Sequence, residues 1–165
     1  MTQSMIYLRF EIAGQVYALA SDAIVEVIPC IPVNGMAHTS PAVAGTLNYR
    51  GGLIPVIDLA MLFNEQPSAR YTSTRTVVVN YREVDGETLH LALIAEQATE
   101  TMKLDDEAFN PQVINNGHIP YSGAATLETG QLLYRLEVHD ILPPDLQGQL
   151  YPQHHLDEES VNHVD

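Results

Sequence analysis

Apolar and polar positions alternate from Ile6 to Ile12, with Ile6, Leu8, Phe10 and Ile12 on one side and Tyr7, Arg9 and Glu11 on the other. A period of two predicts a half-buried strand. Ala13, Gly14 and Gln15 turn the chain into Val16–Leu19, which completes a hairpin. Ser21 and Asp22 cap one helical turn before Ile24–Ile28, a β-branched run read as strand. Pro29, Pro32 and Pro41 then mark a loop-rich connection. The rest is organised around Val43–Leu59, which reads as strand, tight turn, strand. Leu47 and Tyr49 belong to the first strand, Gly51 and Gly52 give the turn its backbone freedom, and Leu53–Ile57 forms a buried second strand. Pro55 lacks an N–H, so this strand belongs at an edge or a barrel rim. Asp58 caps a short helix, Leu59–Phe63.

Farther along, residues 64–73 are polar, contain Pro67, and predict an exposed loop. Thr74–Tyr81, with Val77, Val78 and Val79, predicts a central strand. Asp85 and Gly86 form a hairpin turn before the strand Leu89–Ile94, and another strand covers Ala98–Leu104. Asp105 to Gly117 reads as an irregular excursion. Ala124–Leu127 and Gln131–Val138 flank a last turn, and Leu142, Leu146 and Leu150, spaced by four, predict a short helix opened by Pro143 and Pro144. Gly148 weakens that helix. From Pro152 the chain reads as a disordered acidic tail, which divides it into a folded part, 1–151, and a tail, 152–165. Many short strands, little helix and no strand–helix alternation predict antiparallel pairing in small closed barrels or a sandwich.

At 45% hydrophobic and 17% charged residues, the composition is that of a folded soluble protein. No apolar run approaches the ~18 residues of a membrane span, and the N-terminus lacks the signature of a signal peptide. The single cysteine, Cys30, excludes an internal disulfide framework and fits a reducing compartment, so a cytoplasmic protein is expected. The net charge of -14, from seven Lys+Arg against twenty-one Asp+Glu, repels phosphate backbones and anionic membranes. Nucleic-acid binding and direct membrane insertion are therefore not expected.

Motifs for covalent chemistry are missing: there is no G-x-S-x-G, S-x-x-K, Walker loop or G-x-G-x-x-G. Cys30, between prolines, reads as an inert or surface thiol. His154 and His155 near Asp157 lack metal-ligand spacing and read as part of a polar tail. His139 and Asp140 suit a local cap better than a catalytic dyad. No catalytic residue, cofactor or metal is expected. Two charged positions stay open on the residues alone. Glu26, between Val25 and Val27, points away from both, either as a solvated residue or beside a recognition groove. Arg50, the only cation between Arg9 and Arg70, sits on a glycine-bracketed turn, either in an internal ion pair or presented to a partner.

Taken in order, these segments resemble the CheW-like domain of bacterial chemosensory coupling proteins. The resemblance rests on Phe10–Leu19, on Ile24–Ile28, on the block Gly45, Asn48, Arg50, Gly51, Pro55, Asp58 and Leu59, on the Thr76–Val79 strand, and on the approach to Ile141 and Leu142. It spans about residues 5–151. Tyr49, where an aliphatic residue is common, and the second glycine, Gly52, depart from it.

The resemblance implies a mainly β fold of two five-stranded SH3-like β-barrels sharing a core, with short helices. It implies a non-enzymatic adaptor that binds the cytoplasmic tip of a methyl-accepting chemoreceptor and the regulatory domain of a CheA-type histidine kinase, recruited to membrane-associated arrays. Matched position by position, it places Ile24, Glu26, Gly45 and Arg50 at the receptor-binding groove, which favours the functional reading of Glu26 and Arg50. Asn48 to Gly51, Ser73 to Arg75, Leu93 to Glu96, Thr99 to Met102, and Pro120 with Tyr121 look like the Wsp-type couplers of surface-sensing pathways, whose output is a diguanylate cyclase. Against the adaptor stand a small β-barrel enzyme or ligand carrier, which requires a deep pocket with convergent polar groups, and an assembly protein that binds kinase but not receptor.

Overall fold

One long strand shared by two sheets sets the architecture. The computed structural model describes residues 4–35, 40–109, 122–128 and 130–152. Among them are nine strands: β1 (Ser4–Ile12), β2 (Gln15–Ala20), β3 (Ile24–Pro29), β4 (Val43–Tyr49), β5 (Gly52–Asp58), β6 (Arg75–Val84), β7 (Glu87–Asp105), β8 (Ser122–Glu128) and β9 (Gln131–Leu136). Two short helices, α1 (Leu59–Asn64) and α2 (Pro144–Leu150), complete the set, with one-turn 3₁₀ segments at Ser21–Ala23, Asp106–Ala108 and Val138–Asp140.

The two strands expected at Leu89–Ile94 and Ala98–Leu104 are one strand of 19 residues, β7. Its first half, to Ala95, pairs with β6, and its second half, from Glu96, pairs with β1. Gln97, at φ 55, takes up the change of direction between them. Around the first half lie β3, β6, β5 and β4; around the second lie β1, β2, β9 and β8. Each set therefore counts five strands with β7 common to both. Most ladders are antiparallel, as expected. Val56–Asp58 on Ala92–Ile94 and Val16–Ala18 on Leu133–Arg135 are short parallel ones. Among the described residues no ladder joins the two outer edges of either set, although an isolated bridge ties Asn34 to Thr46.

Burial follows the same division. Val77, Val79, Leu91 and Leu93 enter a large apolar cluster, together with Leu8, Phe10, Ile12, Tyr17, Tyr134, Leu136 and Leu146. Val78, Ala92 and Ile94, which face the other way, join Leu47, Ile54 and Val56 inside the first set. Tyr7, Val16, Ala18, Leu104, Phe109 and Leu133 fill the second set. The large cluster draws on both sets and is the shared core. Strands covered on both faces carry unbroken apolar runs, and this explains Val77–Val79.

Three details depart from the sequence reading. On β1, Ile6 is 46% exposed and Tyr7 fully buried, because the strand has a core on each face and Tyr7 fills the smaller one, its ring 5.2 Å from that of Phe109. On β5, Leu53 is 69% exposed. Pairing with β7 begins only at Val56, so Leu53 precedes the covered part of the strand. The loop 64–73 is not wholly exposed either, since Ser68 is buried. The tail expected from residue 152 lies almost wholly outside the described residues, as do His154, His155 and most of the excursion after Asp105.

Candidate functional site

Two strands and a turn build the site. β4 and β5 are antiparallel, with Tyr49 opposite Gly52, so Arg50 and Gly51 are the two turn residues. Both have positive φ, 49° and 84°, as a two-residue turn matched to strand twist requires. Gly51 takes this conformation freely, whereas Arg50 is held in it. The turn thus lies one residue earlier than the glycine pair suggests. Its position leaves the Arg50 side chain 71% exposed.

Glu26 reaches the same place from β3, an edge strand that, among the described residues, pairs only with β6. A register shift between Ile24 and Glu26 breaks the alternation expected there. Val25 and Ile28 pack on the first set's interior, Ile24 packs on the shared core, and Val27 is exposed. Glu26 accepts a hydrogen bond from the Tyr49 hydroxyl and lies 3.5 Å from Arg50 Nη2; both contacts fall on Oε2. The Arg50 guanidinium also lies over the Tyr49 ring, 5.0 Å from its centroid. The hydrogen bond to Glu26, more than burial, pushes the Tyr49 hydroxyl above its ordinary pKa, and Arg50 pulls the other way.

Of the four positions named for the groove, Glu26 and Arg50 meet. Ile24 is half-buried against the shared core. Gly45 is buried, and a β-carbon there would stand 2.0 Å from the Asn34 carbonyl oxygen. The Asn34 backbone crosses it to bond Thr46 in both directions, N–H to O at 3.2 and 2.7 Å. Tyr49, which the sequence reading placed on the strand and did not name as a site residue, is the member that joins the other two. Nothing in the spacing pointed to it, because its partner is 23 residues away.

Asp58 fixes the far end of the hairpin. Its Oδ1 accepts from the N–H groups of Ala60 and Met61, the cap expected of it, at 3.1 and 3.4 Å. It also accepts from the Ser68 N–H and hydroxyl, at 3.0 and 2.5 Å, and pairs with Arg70 at 3.9 Å. The residue that starts α1 therefore ties down the loop after it. His139 and Asp140 contact each other at the surface, 3.4 Å apart, within a 3₁₀ turn whose His139 carbonyl accepts from Arg82. Among the described residues no three His, Cys, Asp or Glu side chains gather as metal ligands. Open clefts among the described residues include one that borders this hairpin and one away from it. One, of about 400 Å³, lies between the starts of β5 and β7 and the end of α2; the other, of about 440 Å³, lies beside α1. Chemically the hairpin site can exchange hydrogen bonds and ion pairs with a partner.

Residues 7–144 match the family described as CheW-like domain. The chain is 29% identical over 97 residues to the chemotaxis protein CheW of Klebsiella aerogenes, a stretch covering 55% of this chain and 58% of that protein. The match thus spans less than two thirds of that relative. In three dimensions it is similar to the crystal structure of scaffolding protein TtCheW from Thermoanaerobacter tengcongensis, with a TM-score of 0.75 at 20% identity, covering 88% of this chain and 92% of that one. That likeness establishes the fold as the mainly β architecture of paired SH3-like barrels.

Proposed function

The chain belongs to the CheW-like domain family, and from that premise we propose that it is a non-enzymatic adaptor coupling methyl-accepting chemoreceptors to a CheA-type histidine kinase. The observation that carries this reading is the family match itself, which runs from residue 7 to residue 144 and so takes in both barrels. The relatives' descriptions as a chemotaxis protein and a scaffolding protein support it. Residues 1–151 act as the coupling unit and 152–165 follow as a tail. The protein works in the cytoplasm, recruited to receptor arrays; no described helix is long and apolar enough to cross a membrane. The receptor docks at Ile24, Glu26, Gly45 and Arg50, with Glu26 and Arg50 supplying the polar contacts, Ile24 lining the seam, and Gly45 keeping the Asn34 backbone against β4. The regulatory domain of the kinase docks elsewhere on the barrels. The resemblance of Asn48 to Gly51 and Ser73 to Arg75 to the Wsp-type couplers supports a surface-sensing pathway, with a flagellar or pilus array as the alternative.

Each contact is small, about 1,200 Å² or less. Such contacts become effective in a clustered array, where linked sites raise the local concentration of each partner. A change in receptor geometry then shifts kinase populations through the differential fit of the adaptor, without a bond made or broken.

Arg50→Glu tests the docking site. The guanidinium is 71% exposed and its contact with Glu26 is worth at most about 1 kcal/mol, so the variant keeps a cooperative thermal transition close to wild type. Capture on an immobilised cognate receptor tip falls by about tenfold, because the reversed charge meets the same partner groups. Capture equal to wild type by a folded variant removes Arg50 from the docking surface.

A further inference from the structure

Arg50 and Glu26 are both on the surface, where a long cation and a carboxylate ordinarily sample many arrangements. Here the surroundings limit them. The Tyr49 hydroxyl and Arg50 Nη2 converge on the same oxygen of Glu26, Oε2, and the guanidinium lies over the Tyr49 ring. Tyr49 is anchored from behind, since its ring is partly buried against the first barrel's interior and its backbone pairs with Gly52. Among the described residues Arg50 has no other partner, so its remaining N–H groups are left for acceptors on a bound molecule. An aliphatic side chain at position 49 could supply neither the hydroxyl nor the ring.

We propose that Tyr49 is a positioning residue that holds Glu26 and Arg50 in one arrangement, with the guanidinium pre-ordered towards acceptors on the receptor tip. The inference rests on the docking reading above and deepens it. Ordering Arg50 before binding lowers the entropic cost of docking, which an unsupported arginine meets in full at the encounter.

The test compares Tyr49→Phe, Arg50→Glu, Glu26→Gln and the Tyr49→Phe/Glu26→Gln double variant in binding to the cognate receptor tip. Tyr49→Phe keeps the ring and its packing, so the thermal midpoint stays within about 2 °C of wild type. The dissociation constant rises about fivefold. The double variant loses no more than the worse of its two singles, because both act on the same hydrogen bond, one removing its donor and the other exchanging its charged acceptor for a neutral amide oxygen. In ¹³C-tyrosine NMR the Tyr49 hydroxyl titrates above the ordinary tyrosine range and returns towards it in Glu26→Gln, a signature that general loosening would not give. If Tyr49→Phe binds like wild type while Arg50→Glu does not, positioning by Tyr49 is overturned and the docking site stands. Additive losses in the double variant, or a Tyr49 titration indifferent to Glu26→Gln, also overturn it. If neither Tyr49→Phe nor Arg50→Glu changes binding, the docking reading fails and this inference falls with it.

Discussion

A β-carbon at position 45 would lie 2.0 Å from the carbonyl oxygen of Asn34 and 2.6 Å from its carbon, against backbone that cannot rotate aside. The residue also sits at φ 151, a conformation that side chains rarely adopt. Gly45→Ala is therefore expected to destabilise the protein by about 3 kcal/mol or more, read as a lower urea midpoint at unchanged slope. A midpoint equal to wild type would mean that the Asn34 crossing is not fixed in solution. Asp58 shows how far a single residue could be read in advance. Its place before Leu59 announces a helix cap, and the cap is there. Its bonds to Ser68 and Arg70 span a loop without periodicity, and no local rule reveals them. Glu26, Tyr49 and Arg50 are alike in this. The turn that presents Arg50 is a local matter and was legible from its glycines to within one residue; the meeting with β3 depends on how distant strands stack, which the chain's order does not display.

Elements were legible in kind and less so in extent. The hairpins at Ala13–Gly14 and Asp85–Gly86 have positive φ at both turn residues, which Asp-Gly announces and Ala13 does not. Pro55 falls just before β5 gains its second neighbour at Val56, in keeping with its missing N–H. The join within β7 was not legible. Between the pairs Glu11–Glu96 and Arg9–Glu100, β1 has one residue and β7 has three, so the long strand bulges there without ending. Gln97, exposed and at φ 55, is the hinge of that bulge. This makes a test in which two rules disagree. Strand propensity alone favours valine at 97. The left-handed backbone makes Gln97→Val destabilising by about 1–2 kcal/mol, while Gln97→Gly is expected to leave stability equal or slightly raised. A higher urea midpoint for the valine variant would show that β7 is regular in solution.

For the whole molecule, strand patterning announced an all-β chain, but only the resemblance gave two barrels around a common core. The physical reason is that β6 and β7 are covered on both faces, so periodicity is erased where the barrels meet, at Val77–Val79 and Leu91–Ala95. Charge was more legible. With twenty-one acidic residues against seven Lys+Arg, carboxylates outnumber cations three to one, and arginines are engaged within the chain, Arg9 with Glu11, Arg70 with Asp58 and Arg135 with Glu137 among them. Arg50 combines such a contact with the greatest exposure of these. The central claim is that one molecule joins two partners, and a bridging measurement addresses it most directly. Cognate kinase regulatory domain is passed over immobilised receptor tip with and without this protein. The account predicts retention that requires the wild-type adaptor and is largely lost with Arg50→Glu. Retention that is the same without the adaptor, or an adaptor that binds the kinase domain in solution yet never reaches the receptor, would contradict it.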